Sequence, residues 1–220
     1  MERCHWLLLP LLLTLTAGLG YAVLSLPEQA EGLQRIVGNN METSGVSNPV
    51  TAVLLNFRGY DTLLEMVVLM LALLGVWSLG GVALHHEAMP GPIVDILVRL
   101  LIPILILVAA YLLWVGAHAP GGAFQAGSLL GAAGVLLLLT GWRLRAGLTA
   151  LPLRLMLVAG PALFVAVAAL LYLVEGRLLA YPPAQAGILI LLLETLAMLS
   201  IGTTLAALFS GERPQDKESE

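Results

Sequence analysis

Long apolar runs alternate with short polar segments along nearly the whole chain. An α-helix needs about 20 residues to cross a hydrocarbon core about 30 Å thick, and runs of that length recur from end to end. Little chain is left between them for a separate soluble domain, so the pattern predicts an all-α integral membrane protein with about six transmembrane helices. The predicted spans are residues 6 to 26, 60 to 84, 97 to 116, 124 to 142, 153 to 174 and 185 to 209.

The apolar stretch over residues 50–84 is longer than one span needs. At about 1.5 Å per residue, a single straight helix of that length would have to tilt strongly. The sequence therefore predicts a short amphipathic or half-inserted helix over about 49 to 57, a bend at Arg58-Gly59, and a full span that begins near Tyr60.

A second break is the segment GAHAPGGAFQAG, residues 116–127, between the third and fourth spans. Proline removes a backbone donor and glycine adds conformational freedom, so the segment is expected to be a loop rather than a helix. Irregular backbone inside a membrane is tolerated only where protein or water satisfies its polar groups. The loop is therefore either a surface turn or backbone packed against a partner.

Composition agrees with the apolar pattern. Of the 220 residues, 59% are hydrophobic and 11% are charged, whereas about a quarter of the residues of a soluble domain are charged. The net charge of −4 comes without a basic patch, so nucleic acid is not expected as a partner. Cys4 is the single cysteine, so it can form no internal disulfide, and we expect it to be inert.

The basic residues predict the orientation, because cytoplasmic loops of membrane proteins are enriched in Lys and Arg. With both termini cytoplasmic, the acidic tail 211–220 is cytoplasmic and residues 27–49 form an exposed outer loop. The first run resembles a signal peptide, but its length favours a retained helix. Seven basic residues then lie on the cytoplasmic side, Arg3, Arg99, Arg143, Arg145, Arg154, Arg213 and Lys217, and three lie opposite, Arg35, Arg58 and Arg177.

Three ionisable residues stand at the start of the second span. Arg58, Asp61 and Glu65 are spaced i, i+3 and i+7, which places them on one face of a helix. Arg58 and Asp61 can form an ion pair, whereas an unpaired carboxylate at Glu65, one turn deeper, is costly. Two interpretations remain open. The group is an interfacial ion cluster that fixes helix depth, or Glu65 belongs to a proton or cation path, as intramembrane carboxylates often do.

Glu194 is a second candidate, near the middle of the last span and with no Lys or Arg on the same helix. A carboxylate at that depth is neutral, paired with another helix, or exposed to an aqueous cavity. A structural role and a role in an ion path are both open. Ser200 and the three threonines of this span are expected to join helices rather than to bind ligands.

No motif for a metal, a cofactor or a covalent reaction stands out. His85-His86-Glu87 superficially suggests a metal site, but adjacent side chains on a helix diverge and no third spaced His or Cys completes the set. We expect a solvated helix end there. A nucleophile elbow, a phosphate-binding loop, a CxxCH haem motif and a cysteine cluster are all missing from the sequence, so the chain is predicted to be a transport component without a cofactor rather than an enzyme.

Two runs resemble subunits of Mrp-type multisubunit cation/proton antiporters and of related membrane-bound hydrogenases. AVLLNFRGYDTLLEMVVLMLALLGV resembles the DFRGFDTLGE segment at the carboxyl end of MrpA and in the small MbhE-type protein. LIPILILVAAYLLWVGAHAPGGAFQAGSLLGAAGVLLL resembles the start of MrpB, also called MnhB, with its GHxxPGGGFxGG loop. The matching positions are Arg58, Gly59, Asp61, Thr62 and Glu65 in the first run and His118, Pro120, Gly121, Gly122 and Phe124 in the second.

The resemblance implies a fusion of an MbhE-like two-helix segment, residues 1–95, with an MrpB-like four-helix domain, residues 96–210, followed by the tail 211–220. It further implies an inner-membrane subunit of an antiporter that exchanges Na⁺ or another monovalent cation for H⁺. Its partners would be large antiporter-like subunits, small MrpC-type and MrpG-type subunits, and membrane lipid.

The resemblance also implies roles for single residues. Glu65 would lie on the ion path, with Asp61 and Arg58 at its mouth, and Glu194 would fill an acidic position of the last span. The loop residues His118, Pro120, Gly121 and Gly122 would support the path. Two alternatives stay open: a complex-I-like redox complex of the hydrogenase type, and a purely structural scaffold subunit.

Overall fold

The computed structural model describes residues 5–26, 32–79, 91–140 and 151–211. Within these ranges the regular structure is helical, with no strand, as the apolar pattern predicted. The helices are α1 (His5–Leu24), α2 (Gln34–Ser44), α3 (Pro49–Ala52), a π-helical segment (Val53–Phe57), α4 (Gly59–Ser78), α5 (Pro92–Val115), α6 (Ala123–Leu139), α7 (Leu151–Glu175) and α8 (Pro183–Ser210).

Four of these helices are long and apolar enough to cross a membrane, counting only the part of the chain that the structure describes. They are Gly59–Ser78, Ile93–Val115, Leu151–Glu175 and Ala186–Ser210, and Leu9–Leu24 and Ala123–Leu139 are shorter apolar helices. The chain is therefore a multi-pass membrane protein. Cys4, the group His85-His86-Glu87 and the tail beyond Gly211 lie outside the described residues.

The chain divides into two compact units, residues 1–36 and residues 37–220. The first contains α1, whose described leucines are largely exposed. The second is built around α8, which packs against α4, α5, α6 and α7. Helices in a lipid bilayer have no hydrophobic driving force to associate, so close packing of their backbones stabilises the contact between them.

Small residues provide that close approach between α6 and α8. A Cβ atom placed on a glycine of α6 would come within 2.9 Å of a side chain of α8 at three successive turns. The pairs are Gly127 with Ile201, Gly131 with Leu205, and Gly134 with Ala206. These contacts hold α6 and α8 together and so fix the position of the amino-terminal end of α6 beside α8.

The predicted break before the second span is confirmed. Arg58 leaves the helical conformation, with φ −131° and ψ 37°, and α4 begins at Gly59. The Thr62 hydroxyl donates a hydrogen bond of 2.7 Å to the Leu54 carbonyl, which ties the new helix to the segment before the break. Gly59 itself packs against the side chains of Phe164 and Leu179.

The prediction of an exposed outer loop over residues 27–49 is wrong at its carboxyl end. Residues Gln34–Ser44 form α2, and Ser44 and Asn48 are buried, with 0% and 5% of their surfaces exposed. The physical reason is hydrogen bonding, because the Ser44 hydroxyl donates to the Met41 carbonyl and the Asn48 side chain reaches backbone carbonyls elsewhere in the fold. Residues 27–31 of this loop lie outside the described residues.

Candidate functional site

A cavity of about 240 Å³ lies between the segment that leads into α4 and the amino-terminal end of α6. Glu65 and Glu194 both line it, although they come from different spans. One wall is Val50, Thr51, Leu54, Leu55, Thr62 and Glu65, and the other is Gly121, Gly122, Ala123, Phe124, Gln125 and Glu194. The two carboxylates predicted from the sequence therefore share one space.

Glu194 is enclosed and has a hydrogen-bond partner. Only 5% of its surface is exposed, and the backbone N–H of Ala123 donates to its carboxylate. Ala123 is the first residue of α6, where backbone N–H groups have no partner within the helix and carry partial positive charge. The Glu194 carboxylate is therefore hydrogen-bonded to another helix, and it also lines a cavity.

Gly122 makes this contact possible. Its φ of +108° is a conformation that other residues rarely adopt. A Cβ atom at this position would also lie 2.8 Å from Oε1 of Glu194. Glycine is therefore required at residue 122 for both its backbone conformation and the space that the carboxylate occupies.

Glu65 differs from Glu194 in exposure. It is an exposed residue of α4 and reaches the cavity from the opposite wall. The predicted ion pair is present, with Arg58 Nη2 2.5 Å from Asp61 Oδ2, and about half of each side chain is exposed. Arg58 and Asp61 do not line the cavity, so the structure brings together Glu65 and Glu194 and leaves the ion pair at the start of α4.

The loop between α5 and α6 packs against the chain itself. Gly121 and Gly122 form part of the cavity wall, whereas His118 and Pro120 are exposed and lie outside it. His118 Nδ1 is 2.9 Å from the hydroxyl of Ser47. The predicted alternatives were a surface turn and backbone packed against a partner, whereas the glycines of the loop pack against Asn48, Thr51 and Glu194 of this chain.

Sequence reasoning missed Asn48 and Thr51, which hold this loop. The Asn48 amide donates to the carbonyls of Gly116 and Ala119 at 3.1 and 2.7 Å, and the Thr51 hydroxyl donates to Gly116 at 2.5 Å. A signal was available, since Asn followed by Pro49 is typical of a helix start. The Asn48 side chain does accept a bond from Val50 N–H there, but nothing in the sequence indicated the distant carbonyls.

A metal centre finds no support in the part of the chain that the structure describes. Within those residues no three His, Cys, Asp or Glu side chains come together. The arrangement offers instead two carboxylates, one exposed and one enclosed, that line one small cavity together with Thr62 and Gln125. Carboxylate oxygens in such a cavity can bind a monovalent cation or a proton.

Two family models match the chain. Residues 93–210 match the domain related to the MnhB subunit of Na⁺/H⁺ antiporters, and residues 3–82 match MbhE, a component of the membrane-bound hydrogenase MBH. No curated protein sequence matches the chain.

Two solved structures share the fold. A chain of the membrane-bound sulfane sulfur reductase (MBS), an archaeal respiratory membrane complex, is 22% identical with a TM-score of 0.69, and the match covers 96% of this chain and 98% of that one. A chain of the Mrp complex from Dietzia sp. DQ12-45-1b is 25% identical with a TM-score of 0.65, and the match covers 97% of this chain but 26% of that one. The resemblance seen in the sequence is confirmed, and the chain belongs to the family of MnhB-related antiporter domains, preceded by a region of the MbhE type.

Proposed function

We propose that the chain is a subunit of a multisubunit antiporter that exchanges Na⁺ or another monovalent cation for H⁺. It frames a hydrophilic intramembrane path and is not the main pumping subunit. The observation that supports this most directly is the cavity shared by Glu65 and Glu194. The two residues come from the regions matched by the two family models, so the cavity lies where those regions meet.

The arrangement in the cell follows from the same proposal. The chain crosses the cell (inner) membrane six times with both termini cytoplasmic, and it joins an MbhE-like part, residues 1–95, to an MrpB-like part, residues 96–210. It assembles with large antiporter-like subunits and small MrpC-type and MrpG-type subunits. The match of residues 93–210 to the domain related to the MnhB subunit of Na⁺/H⁺ antiporters supports assembly with other subunits of a complex.

The two carboxylates have different roles because their surroundings differ. Exposed Glu65 meets the ion first, and enclosed Glu194 at the far wall is fixed by the Ala123 N–H. Asp61 precedes Glu65 by one helical turn, so the Arg58–Asp61 pair lies at the mouth of the path. His118 and Pro120 support the loop that carries the cavity wall.

The test replaces each cavity carboxylate with its uncharged isostere in the intact complex. We expect Glu65→Gln to lower cation-dependent proton movement roughly tenfold or more, which corresponds to about 1.4 kcal/mol of the barrier. Proton movement is measured in inverted membrane vesicles after the assembly of each variant has been checked. Glu175→Gln, which neutralises an exposed carboxylate at the end of α7, is the matched control and should behave as wild type.

The outcomes separate the roles. Unchanged exchange in an assembled Glu65→Gln complex would refute the ion path at this residue and favour a scaffold subunit. For Glu194→Gln, a defect in exchange with normal assembly supports the path. Loss of assembly alone assigns Glu194 to the fold, because its carboxylate holds the start of α6.

A second candidate function is a membrane subunit of a complex-I-like redox complex of the hydrogenase type. The match of residues 3–82 to MbhE of the membrane-bound hydrogenase favours it, and one chain of the archaeal respiratory complex shares the fold over nearly the whole length of this chain. The same cavity would then pass an ion whose movement is coupled to electron transfer in other chains. Purification of the native complex decides between the two, because nickel-iron or iron-sulfur subunits would indicate the redox complex and large antiporter-like subunits the antiporter.

A further inference from the structure

We propose that Asn48 and Thr51 are positioning residues that hold the Glu194 carboxylate, and with it the width of the cavity, without binding the ion themselves. They act through the backbone of the Gly116–Gly122 loop. This inference rests on the proposed function, because it concerns what sets the geometry of that ion path.

The first step is the set of hydrogen bonds that Asn48 and Thr51 make to the Gly116–Gly122 loop. Both residues are buried, with 5% and 4% of their surfaces exposed. Their side chains converge on the Gly116 carbonyl, which receives hydrogen bonds from Asn48 Nδ2 at 3.1 Å and from Thr51 Oγ1 at 2.5 Å. Asn48 also donates to Ala119 from its side chain and to Ala117 from its backbone. Because buried carbonyls need donors, these bonds fix the loop.

The second step leads from Gly116 to Glu194. A Cβ atom on Gly116 would lie 2.7 Å from the backbone nitrogen of Gly122 and 2.8 Å from its Cα. The two glycines are therefore in direct backbone contact, so the position of Gly116 limits the positions that Gly122 can take. Gly122 in turn leaves the space that Oε1 of Glu194 occupies. An unbroken chain of contacts thus runs from Asn48 and Thr51 to the enclosed carboxylate.

The third step concerns the cavity as a whole. Thr51 lies in the wall that carries Glu65, whereas Gly121, Gly122 and Glu194 form the other wall. The bond from Thr51 to the Gly116 carbonyl therefore joins the first wall to the loop that carries Gly121 and Gly122 of the second wall. Asn48 and Thr51, together called the clamp below, are uncharged and do not titrate. They therefore affect the distance between the walls and not the charge of the cavity.

The main test compares two substitutions of Thr51 in the intact complex. Thr51→Val removes the hydroxyl and keeps the shape, and Thr51→Ser keeps the hydroxyl. We expect Thr51→Val to raise the cation concentration for half-maximal exchange roughly fivefold, because one lost hydrogen bond to a buried group has an effect of about that size. The maximum rate of exchange should change less. Thr51→Ser should restore the wild-type value, which a role of Thr51 in packing alone would not predict.

A second readout follows the cavity without using transport. Gln125 is an exposed residue of the cavity wall, so a cysteine there, in a Cys4→Ser background, reports access by its labelling rate with a membrane-impermeant thiol reagent. Thr51→Val and Asn48→Leu should change this rate at least about threefold, a change expected when a wall loses a fixing hydrogen bond. Asn39→Leu, an exposed asparagine of α2, is the matched control. If Asn48→Leu does not assemble, the Thr51 pair decides.

The outcomes distinguish this proposal from the proposed function. Unchanged labelling together with unchanged half-maximal concentration in assembled Thr51→Val would overturn the clamp. Altered labelling with normal exchange would support the clamp and refute the ion path through this cavity. Altered labelling, altered half-maximal concentration and rescue by Thr51→Ser would support both.

Discussion

At the scale of single residues, Gly122 makes the sharpest prediction about the site. Gly122→Ala forces a Cβ atom into a backbone conformation with φ +108° and places it 2.8 Å from Oε1 of Glu194. We expect a loss of about 1–3 kcal/mol from strain, with displacement of the carboxylate in addition. Thermal denaturation of the purified protein in detergent measures the first effect, and cation/proton exchange measures the second.

Two other glycines separate these effects. Gly176 also has a positive φ, of +68°, but a Cβ atom there meets nothing within 4 Å, so Gly176→Ala tests strain alone. Gly187 lies in α8 with open space around it, and Gly187→Ala should be neutral or slightly stabilising. A Gly122→Ala protein as stable as Gly187→Ala, with normal exchange, would contradict the contact between Gly122 and Glu194.

The cavity residues show what a sequence can reveal at this scale. Glu65 and Glu194 were predicted because a carboxylate in an apolar run is unusual, and that signal needs no knowledge of the fold. Asn48 and Thr51 carry no charge and sit at the edge of an apolar run, where such residues are common. Their partners lie 65 or more residues away along the chain, and only the packing of α3 beside the α5–α6 loop brings them together.

At the scale of helices, one hydrogen bond between α7 and α8 replaces a bond that a proline removes from α7. Pro161 in α7 has no N–H, so the Leu157 carbonyl one turn earlier lacks its usual helical donor. The Ser200 hydroxyl of α8 donates to that carbonyl at 2.6 Å. We expect Ser200→Ala to destabilise the protein by about 1 kcal/mol, within the range for hydrogen bonds between membrane helices.

A double-mutant cycle tests the cause. Pro161→Ala returns an N–H to α7, so Ser200→Ala should lose most of its effect in that background. Thr203→Val is the control, because the Thr203 hydroxyl bonds to Leu199 of its own helix. Equal losses from Ser200→Ala with and without Pro161, measured by thermal denaturation in detergent, would refute the explanation.

The elements themselves were largely predictable, and the exceptions have physical reasons. Apolar length predicted the helices, and excess length predicted the break at Arg58. α2 was missed because its sequence QRIVGNNMETS is polar and lacks an apolar run. The hydroxyl residues of α8 were expected to join helices. Ser200 does so, whereas Thr195, Thr203 and Thr204 donate to carbonyls of their own helix, which sequence spacing alone cannot distinguish.

At the scale of the whole molecule, the regions matched by the two family models are joined by contacts as well as by the chain. Met66 of α4 belongs to the same buried cluster as Phe164 and Ile190, and Leu73 packs with Leu157 and Ala207. The bonds of Asn48 and Thr51 to the α5–α6 loop add a polar connection. The sequence predicted both regions, but not that their contact would form the cavity.

These contacts predict that the two regions associate when the chain is cut between them. Opening one peptide bond within residues 83–92 and co-expressing the two pieces should yield a pair that copurifies in mild detergent. In the intact chain the covalent connection keeps the two regions at a high effective concentration, so the loss of one contact between them has little effect on their association. In the cut protein Asn48→Leu should therefore lower recovery of the pair severalfold, while Asn39→Leu should not. Two pieces that insert in the membrane but never copurify would show that the contacts between the regions depend on the covalent link.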